Sequence, residues 1–155
     1  EILALLRDLQ RTRGLTMLSI THDLASARHS ADRIAVMYAG RIVETGTLDE
    51  IFYDPQHPYT WGLLGSIARI DRERPKRLPS IPGMPPSLID RPEGCHFRPR
   101  CRHEFSACPK YPELESRIPE NPAHQDRCWL SAEDKRAKRE IAPGQIGLDI
   151  EGAVA

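Results

Sequence analysis

The sequence carries no net charge, because 22 lysines and arginines stand against 22 aspartates and glutamates. A global field that would draw nucleic acid or an anionic membrane is therefore missing, although a local basic patch is compatible with neutrality. Its longest apolar run is the six residues Ile34 to Ala39, far short of the roughly 18 that would suggest a membrane span. No basic stretch leads into an apolar one at the visible start, so no secretion signal is read there. A Gly-x4-Gly-Lys-Ser/Thr phosphate loop is absent, as is an apolar run ending in Asp-Glu that would hold magnesium. These residues by themselves are not expected to bind and hydrolyse a nucleotide. Aromatics are few, nine in 155 residues, whereas there are 14 prolines. That balance predicts a well-packed part joined to a loop-rich part rather than one uniform globule.

The prolines show where the division falls. Eleven of the 14 lie between Pro75 and Pro122, and the four cysteines sit inside or just beyond that stretch. Before it, Glu1 to Gln10 has apolar residues at 2, 3, 5, 6 and 9, one face of a helix, with Arg11 and Arg13 at its end and Gly14 as a left-handed cap. Leu15 to Ile20 reads as a strand buried on both faces whose polar end, Thr21-His22-Asp23, emerges beside a site. Asp23 then caps a short helix from Leu24 to about Ser30, on which His29 is a surface residue. Arg33 to Tyr38 and Arg41 to Glu44 flank Ala39-Gly40 and predict a hairpin. Thr47 with Glu50 forms a capping box for a helix that stops near Pro55. A buried strand of this kind needs parallel neighbours, and no later segment supplies one, so the chain reads as a piece of a larger domain.

The block from Thr16 to Ile51, TMLSITHDLASARHSADRIAVMYAGRIVETGTLDEI, resembles the end of the nucleotide-binding domain of ABC transporter ATPases, from after the D-loop through the switch-histidine loop. The resemblance implies that His22 contacts the γ-phosphate of ATP, as a catalytic and nucleotide-binding residue. An imidazole at a strand end can stabilise charge that develops in phosphoryl transfer. In that family the missing phosphate loop, Q-loop, signature and magnesium-binding motifs all precede the switch histidine, which implies residues upstream of Glu1.

Next come DPQHPYTWGLLGSI and, past a charged stretch, LPSIPGMPPSLIDRPEGC. Pro58 can start a helix carrying Tyr59, Trp61, Leu63, Leu64 and Ile67, and Ile81 to Pro86 must be extended or polyproline-like. His57, Pro58, Tyr59 and Thr60, with Ile81, Pro82, Gly83, Pro85 and Pro86, are similar to the His-Pro-Tyr extension of oligopeptide and dipeptide importer ATPases. Structural work is the expected role of this motif. Arg72, Arg74, Lys76 and Arg77, interleaved with Asp71 and Glu73, read as a solvated charge run without a ligand.

The cysteines follow the spacing Cys95-x5-Cys101-x6-Cys108-x19-Cys128. Three chemistries compete for them. Disulfides would need an oxidising compartment, which a nucleotide-binding subunit does not occupy. Structural zinc would take four thiolates, or His96, His103 or His124 in place of one, yet no short C-x2-C knuckle is present. An iron-sulfur cluster would be enclosed by thiolates on wider loops, with Arg98, Arg100 and Arg102 lowering thiolate pKa and offsetting cluster charge. The resemblance to peptide-importer ATPases implies a 4Fe-4S cluster. From Ser131 the chain reads as a charged helix with Asp134 and Lys138 four apart, then as APGQIGLDIEGAVA, a mobile end or the start of a second unit.

The fold class expected is thus α/β, the C-terminal end of an ABC-type P-loop nucleotide-binding domain followed by a loop-rich, Pro-rich, four-cysteine module. Its parts are residues 1–54, the nucleotide-binding end; 55–88, the His-Pro-Tyr helix and Pro-rich linker; 89–130, the cysteine module; and 131–155, the charged helix and tail. The family implies ATP with magnesium, a second ATPase subunit, transmembrane permease subunits, an extracytoplasmic peptide-binding protein, and a peripheral place on the cytoplasmic face of the membrane. No nucleic acid is expected. The rival reading is a metal-stabilised interaction or nucleic-acid module in which Arg98, Arg100, Arg102 and Lys110 touch phosphates.

Overall fold

The computed structural model describes residues 2–67 and 80–139. The basic run at Arg72, Arg74, Lys76 and Arg77 and the tail beyond Arg139 lie outside them.

Helix α1, Ile2–Arg13, runs three residues past its apolar face. Gly14 takes φ +62° and the Leu15 N–H donates to the Gln10 carbonyl at 3.1 Å, which closes the end as a left-handed cap does. The segment that follows is a correction. Leu15 to Ile20 forms no strand: Leu18 and Ile20 are 92% and 93% exposed. The reason is the one that made it look buried, since a strand apolar on both faces gains nothing without neighbours, and no described segment lies alongside to pair with it.

Helix α2, Leu24–Ser30, leads into β1, Arg33–Tyr38, and β2, Arg41–Thr47. Ala39 at φ +46° and Gly40 at φ +75° make the two-residue turn with both centres left-handed, the kind whose twist matches that of the strands. The register runs Tyr38 to Arg41 and Met37 to Ile42, then jumps to Val36 opposite Glu44, so Val43 is an extra residue in a bulge. Strict alternation would bury only one of Val43 and Glu44; the bulge buries both.

Helix α3, Leu48–Tyr53, starts on the expected capping box, with the Thr47 N–H donating to Glu50 Oε2 at 2.6 Å and the Glu50 N–H to Thr47 Oγ1 at 3.3 Å. Helix α4, Pro58–Gly65, has Pro58 in its first turn and His57 as cap, the His57 Nδ1 accepting from the Tyr59 N–H at 3.1 Å. Ile81 to Pro86 form neither helix nor strand, as their prolines require. A 3-10 turn at Arg98–Arg100, the two-residue strand β3, Gln125–Asp126, and helix α5, Ala132–Lys138, complete the described elements.

The sheet is antiparallel, in the order β1-β2-β3, with β3 paired to Glu44 and Thr45 of the hairpin. The late, loop-rich part is therefore hydrogen-bonded to the early part. One core is shared by both: Val36, Tyr38 and Val43 of the hairpin, Ile51 of α3 and Phe97 of the cysteine loop. Tyr38, Tyr59 and Phe97 meet with ring centroids 4.5, 5.3 and 5.5 Å apart, at tilted and edge-on angles that favour aromatic pairing. A second cluster, Phe52 with Leu64, holds α3 to α4.

Candidate functional site

The four cysteines, spread over three loop segments, line one partly open pocket. Backbone hydrogen bonds set each in place. The Cys95 N–H donates to the Cys108 carbonyl at 3.0 Å, and Cys95 and Cys101 bracket a tight turn in which Arg98 donates to the Cys95 carbonyl and Cys101 to that of Arg98. The Phe105 N–H points at Cys108 Sγ at 3.5 Å. Cys128 arrives from the far end of the chain just after β3, fixed by the Arg127 N–H on the Val43 carbonyl at 2.8 Å and by Arg117 Nε on its own carbonyl. His57, Phe97, Arg98, His103, Phe105 and Trp129 also line it.

All four thiols are free, so no disulfide pairing is built. Burial pushes the thiols of Cys95, Cys101 and Cys128 up, to about 11 for Cys101 and about 12 for Cys128, with neighbouring cysteines adding to each. This corrects the expectation that nearby arginines lower them. Arg98 has that effect only weakly on Cys95, and Arg100 is turned away, donating to the carbonyls of Ile81 and Pro82 and to the Tyr38 hydroxyl. Ionising several of these thiols requires a cation among them. Against the metal expected on Cys95, Cys101, Cys108 and Cys128, among the described residues no group of three or more His, Cys, Asp or Glu side chains is placed to hold a metal ion. The substitutes considered for a fourth zinc ligand are dispersed. His124 is bonded to Glu44, His96 packs on Tyr111, and only His103 reaches the cavity.

Beside the cavity lies a group of buried polar residues, of which the sequence had singled out only His57, Thr60 and His124. Glu44, Gln56, His57, Thr60, His124, Asp126 and Lys135 are each at most 2% exposed. The Glu44 carboxylate accepts from the Gln56 N–H at 2.5 Å, the His57 N–H at 3.0 Å and His124 Nε2 at 2.9 Å. The backbone N–H of the α4 cap, His57, and that of Gln56 before it are thus satisfied by a residue of the hairpin. Lys135 Nζ donates to Asp126 Oδ2 at 2.6 Å. Helix α5, which the sequence predicted as a charged helix from Ser131, is anchored by Lys135 on its inner side. Burial first, then the charge of Lys135, drives the His57 imidazole down to about 3, so it stays neutral. The sequence signal for this group was hidden by the bulge, which turns Glu44 inward against the alternation of its strand.

His22 lies apart from these groups, exposed on a bend before α2. Thr21 Oγ1 accepts from the Asp23 N–H at 3.0 Å, and Ser26 Oγ donates to Asp23 Oδ2 at 2.5 Å, which shape the bend. The structure does not bring His22 and the cysteines together.

Residues 43–108 match the family described as the oligopeptide/dipeptide transporter, C-terminal region. The dipeptide transport ATP-binding protein DppD of Bacillus subtilis is 43% identical over 145 residues, covering 93% of this chain and 42% of that protein. The oligopeptide transport ATP-binding protein OppD of the same organism is 54% identical over 97 residues, 63% of this chain and 27% of that protein. The OppD protein of Haemophilus influenzae is 42% identical over 133 residues, 86% of this chain and 40% of that protein. The chain thus spans less than half the length of these relatives.

Proposed function

Since the chain belongs with the ATP-binding proteins of oligopeptide and dipeptide transport, at their C-terminal region, we propose that it is the C-terminal part of the ATP-hydrolysing subunit of a peptide importer. The observation that carries this reading is the match over residues 43–108, which takes in most of β2, both helices after it and three of the four cysteines. Of the parts read in the sequence, 1–54 would complete a nucleotide-binding domain, 55–88 would extend it, 89–130 would hold a metal group and 131–155 would trail it. ATP with magnesium binds in the complete domain and is sandwiched against a second ATPase subunit. Closure is passed to permease subunits, and an extracytoplasmic binding protein delivers the peptide. The subunit sits on the cytoplasmic face; among the described residues no helix is long and apolar enough to cross a membrane.

In this reading His22 donates to the γ-phosphate or orients the attacking water. Its exposed position on a hydrogen-bonded bend leaves the imidazole free to meet a nucleotide. Replacing His22 by Ala in the full-length subunit should lower ATP turnover by about 100-fold and abolish peptide uptake into vesicles. Unchanged turnover would sink the assignment.

Cys95, Cys101, Cys108 and Cys128 are assigned to an iron-sulfur cluster of the 4Fe-4S type. Supporting it are the four thiols around one pocket and a backbone N–H directed at a cysteine sulfur. When bound, such a cluster supplies four iron-thiolate bonds and a one-electron couple. The chain's own residues hold the loops in register and, through Phe97 and Trp129, shield the thiols from water. Zinc is the second reading. Visible absorbance near about 400 nm with matching iron and acid-labile sulfide, lost in Cys95→Ser, is the expected result for anaerobically purified protein. One zinc and no colour would favour the second reading, and metal-free thiols would remove both. The nucleic-acid alternative accounts for none of the family match.

A further inference from the structure

Each sulfur of the cysteine pocket is oriented by its own loop. The backbone N–H groups of Phe97 and Arg98 bond Cys95, that of His103 bonds Cys101, that of Phe105 faces Cys108 and that of Leu130 bonds Cys128. Cys95, Cys101 and Cys108 are also placed by one another, through the Cys95 N–H on the Cys108 carbonyl and the hydrogen-bonded turn from Cys95 to Cys101. Among the described residues no backbone hydrogen bond ties Cys128 to the other three. Nineteen residues separate it from Cys108, so its place beside them must be set by some other part of the chain.

His57 stands where this can be done. It is the buried cap of α4 and is itself fixed at two points: its N–H donates to Glu44 Oε2 at 3.0 Å, and its Nδ1 accepts from the Tyr59 N–H at 3.1 Å. With Nδ1 an acceptor, the neutral ring carries its proton on Nε2. The ring bonds the backbone carbonyl of Arg127, the residue before Cys128. The Arg127 N–H is held by the Val43 carbonyl at 2.8 Å, so the peptide groups on both sides of Arg127 are fixed. His57 also lines the pocket with the four cysteines, its ring 6.0 Å from that of Phe97. A cap alone does not ask for histidine, since Ser, Thr, Asp or Asn accepts from the same kind of N–H. None of those side chains has a donor a ring's width away from its acceptor, and that second atom is the one that reaches Arg127.

We propose that His57 is the positioning residue for Cys128: by holding the Arg127 carbonyl it seats the fourth thiol in the pocket with the other three. The first residue of the His-Pro-Tyr run thereby has a task beyond starting α4. The inference deepens the reading of the cysteine pocket and rests on it only for the identity of the group bound there.

Iodoacetamide labelling of the intact chain, reduced and metal-free, followed cysteine by cysteine by peptide mass spectrometry, tests it. His57→Asn keeps a capping oxygen and removes the reach to Arg127. Cys128 should then be labelled about fivefold faster than in the parent, with Cys95, Cys101 and Cys108 within about twofold of their parent rates. Leu64→Ala is the control, because it loosens α4 at its packing on Phe52 and leaves the Arg127 carbonyl alone. It should not change the ratio of Cys128 labelling to that of the other three. A rise of all four rates together in His57→Asn, an equally selective rise in Leu64→Ala, or an unmoved Cys128 would each overturn the proposal. Reconstitution with iron and sulfide is read separately. Where the parent takes up a four-iron cluster, His57→Asn should give the paramagnetic resonance signal of a three-iron cluster, as Cys128→Ser does, and a full four-iron cluster in the variant would overturn the proposal. A parent that takes up no cluster counts against the cluster and not against His57, whose labelling result needs no metal.

Discussion

Glu44 is the residue on which most of the buried polar contacts converge, and it has no room to be anything but a carboxylate. Three donors meet its two oxygens, so an amide in its place would turn an NH2 group toward an N–H. Glu44→Gln should cost about 3 kcal/mol of stability in urea unfolding. His57 makes a prediction about pH. Its folded-state pKa of about 3 lies below the ordinary 6.5, so the unfolded chain binds a proton between those values that the folded chain refuses. Stability should therefore fall as pH drops from 6.5 toward 3, by about 1.4 kcal/mol per unit from this group. His57→Asn keeps a capping side chain and removes the titration. Its stability at pH 7 should be lower than the parent's, with the gap narrowing by pH 5, as urea midpoints at the two values would show. A constant gap would mean that His57 is not buried neutral.

Among the elements, the hairpin turn and the cysteine loop each depend on a glycine for a different reason. A β-carbon on Gly40 would meet only ordinary contacts, its nearest neighbours 3.9 Å away, so the residue needs only its positive φ; Gly40→Ala should cost about 1 kcal/mol, read as a small drop in melting temperature. Gly94 combines φ +72° with a β-carbon position 2.3 Å from the Cys108 carbonyl oxygen and 2.5 Å from Pro109. Backbone must move to admit even Ala there, and the Cys95 to Cys108 hydrogen bond is what moves. Gly94→Ala should abolish loading of the cysteine site, measured as iron and sulfide or zinc per chain, while the hairpin keeps its circular dichroism. The segment from Leu15 to Ile20 shows the converse, an element whose local preference is clear and whose formation depends on neighbours.

For the whole molecule, the decisive tie is between the hairpin with α3 and the segment from β3 to Arg139. Strand β3 pairs with Glu44 and Thr45, Lys135 is buried against Asp126, and Arg139 reaches Asp54 at 2.6 Å. Cys128 enters the cavity on this return path. A group bound by all four cysteines closes the same loop covalently, so it should stabilise the hairpin as well as the cysteine loop. Reconstituting the metal-free protein should raise its melting temperature cooperatively, as binding to the folded state alone requires. Cys128→Ser should lose most of that gain although it is far in sequence from the other three. Two separate melting transitions, only one of them metal-sensitive, would show the parts to be independent.

Local chemistry alone sufficed for the helix caps at Gly14, Thr47 and Pro58, the Ala39-Gly40 turn, the irregular path of Ile81 to Pro86 and the grouping of four cysteines. Each depends on residues within a few positions of one another or on composition, and short-range sterics and hydrogen bonding act at that range. The family was legible because the His-Pro-Tyr block and the cysteine spacing are distinctive runs. What tertiary structure alone decided is the inward turn of Glu44, the burial of Lys135 against Asp126, the rise of the cysteine pKa values and the meeting of Arg41 and Arg127 on Tyr111. All of these arise where residues distant in the chain meet, and for Glu44 one bulged residue, Val43, set which side faces inward. Periodicity cannot carry that information, since a single extra residue in a strand reverses the side of every side chain beyond it.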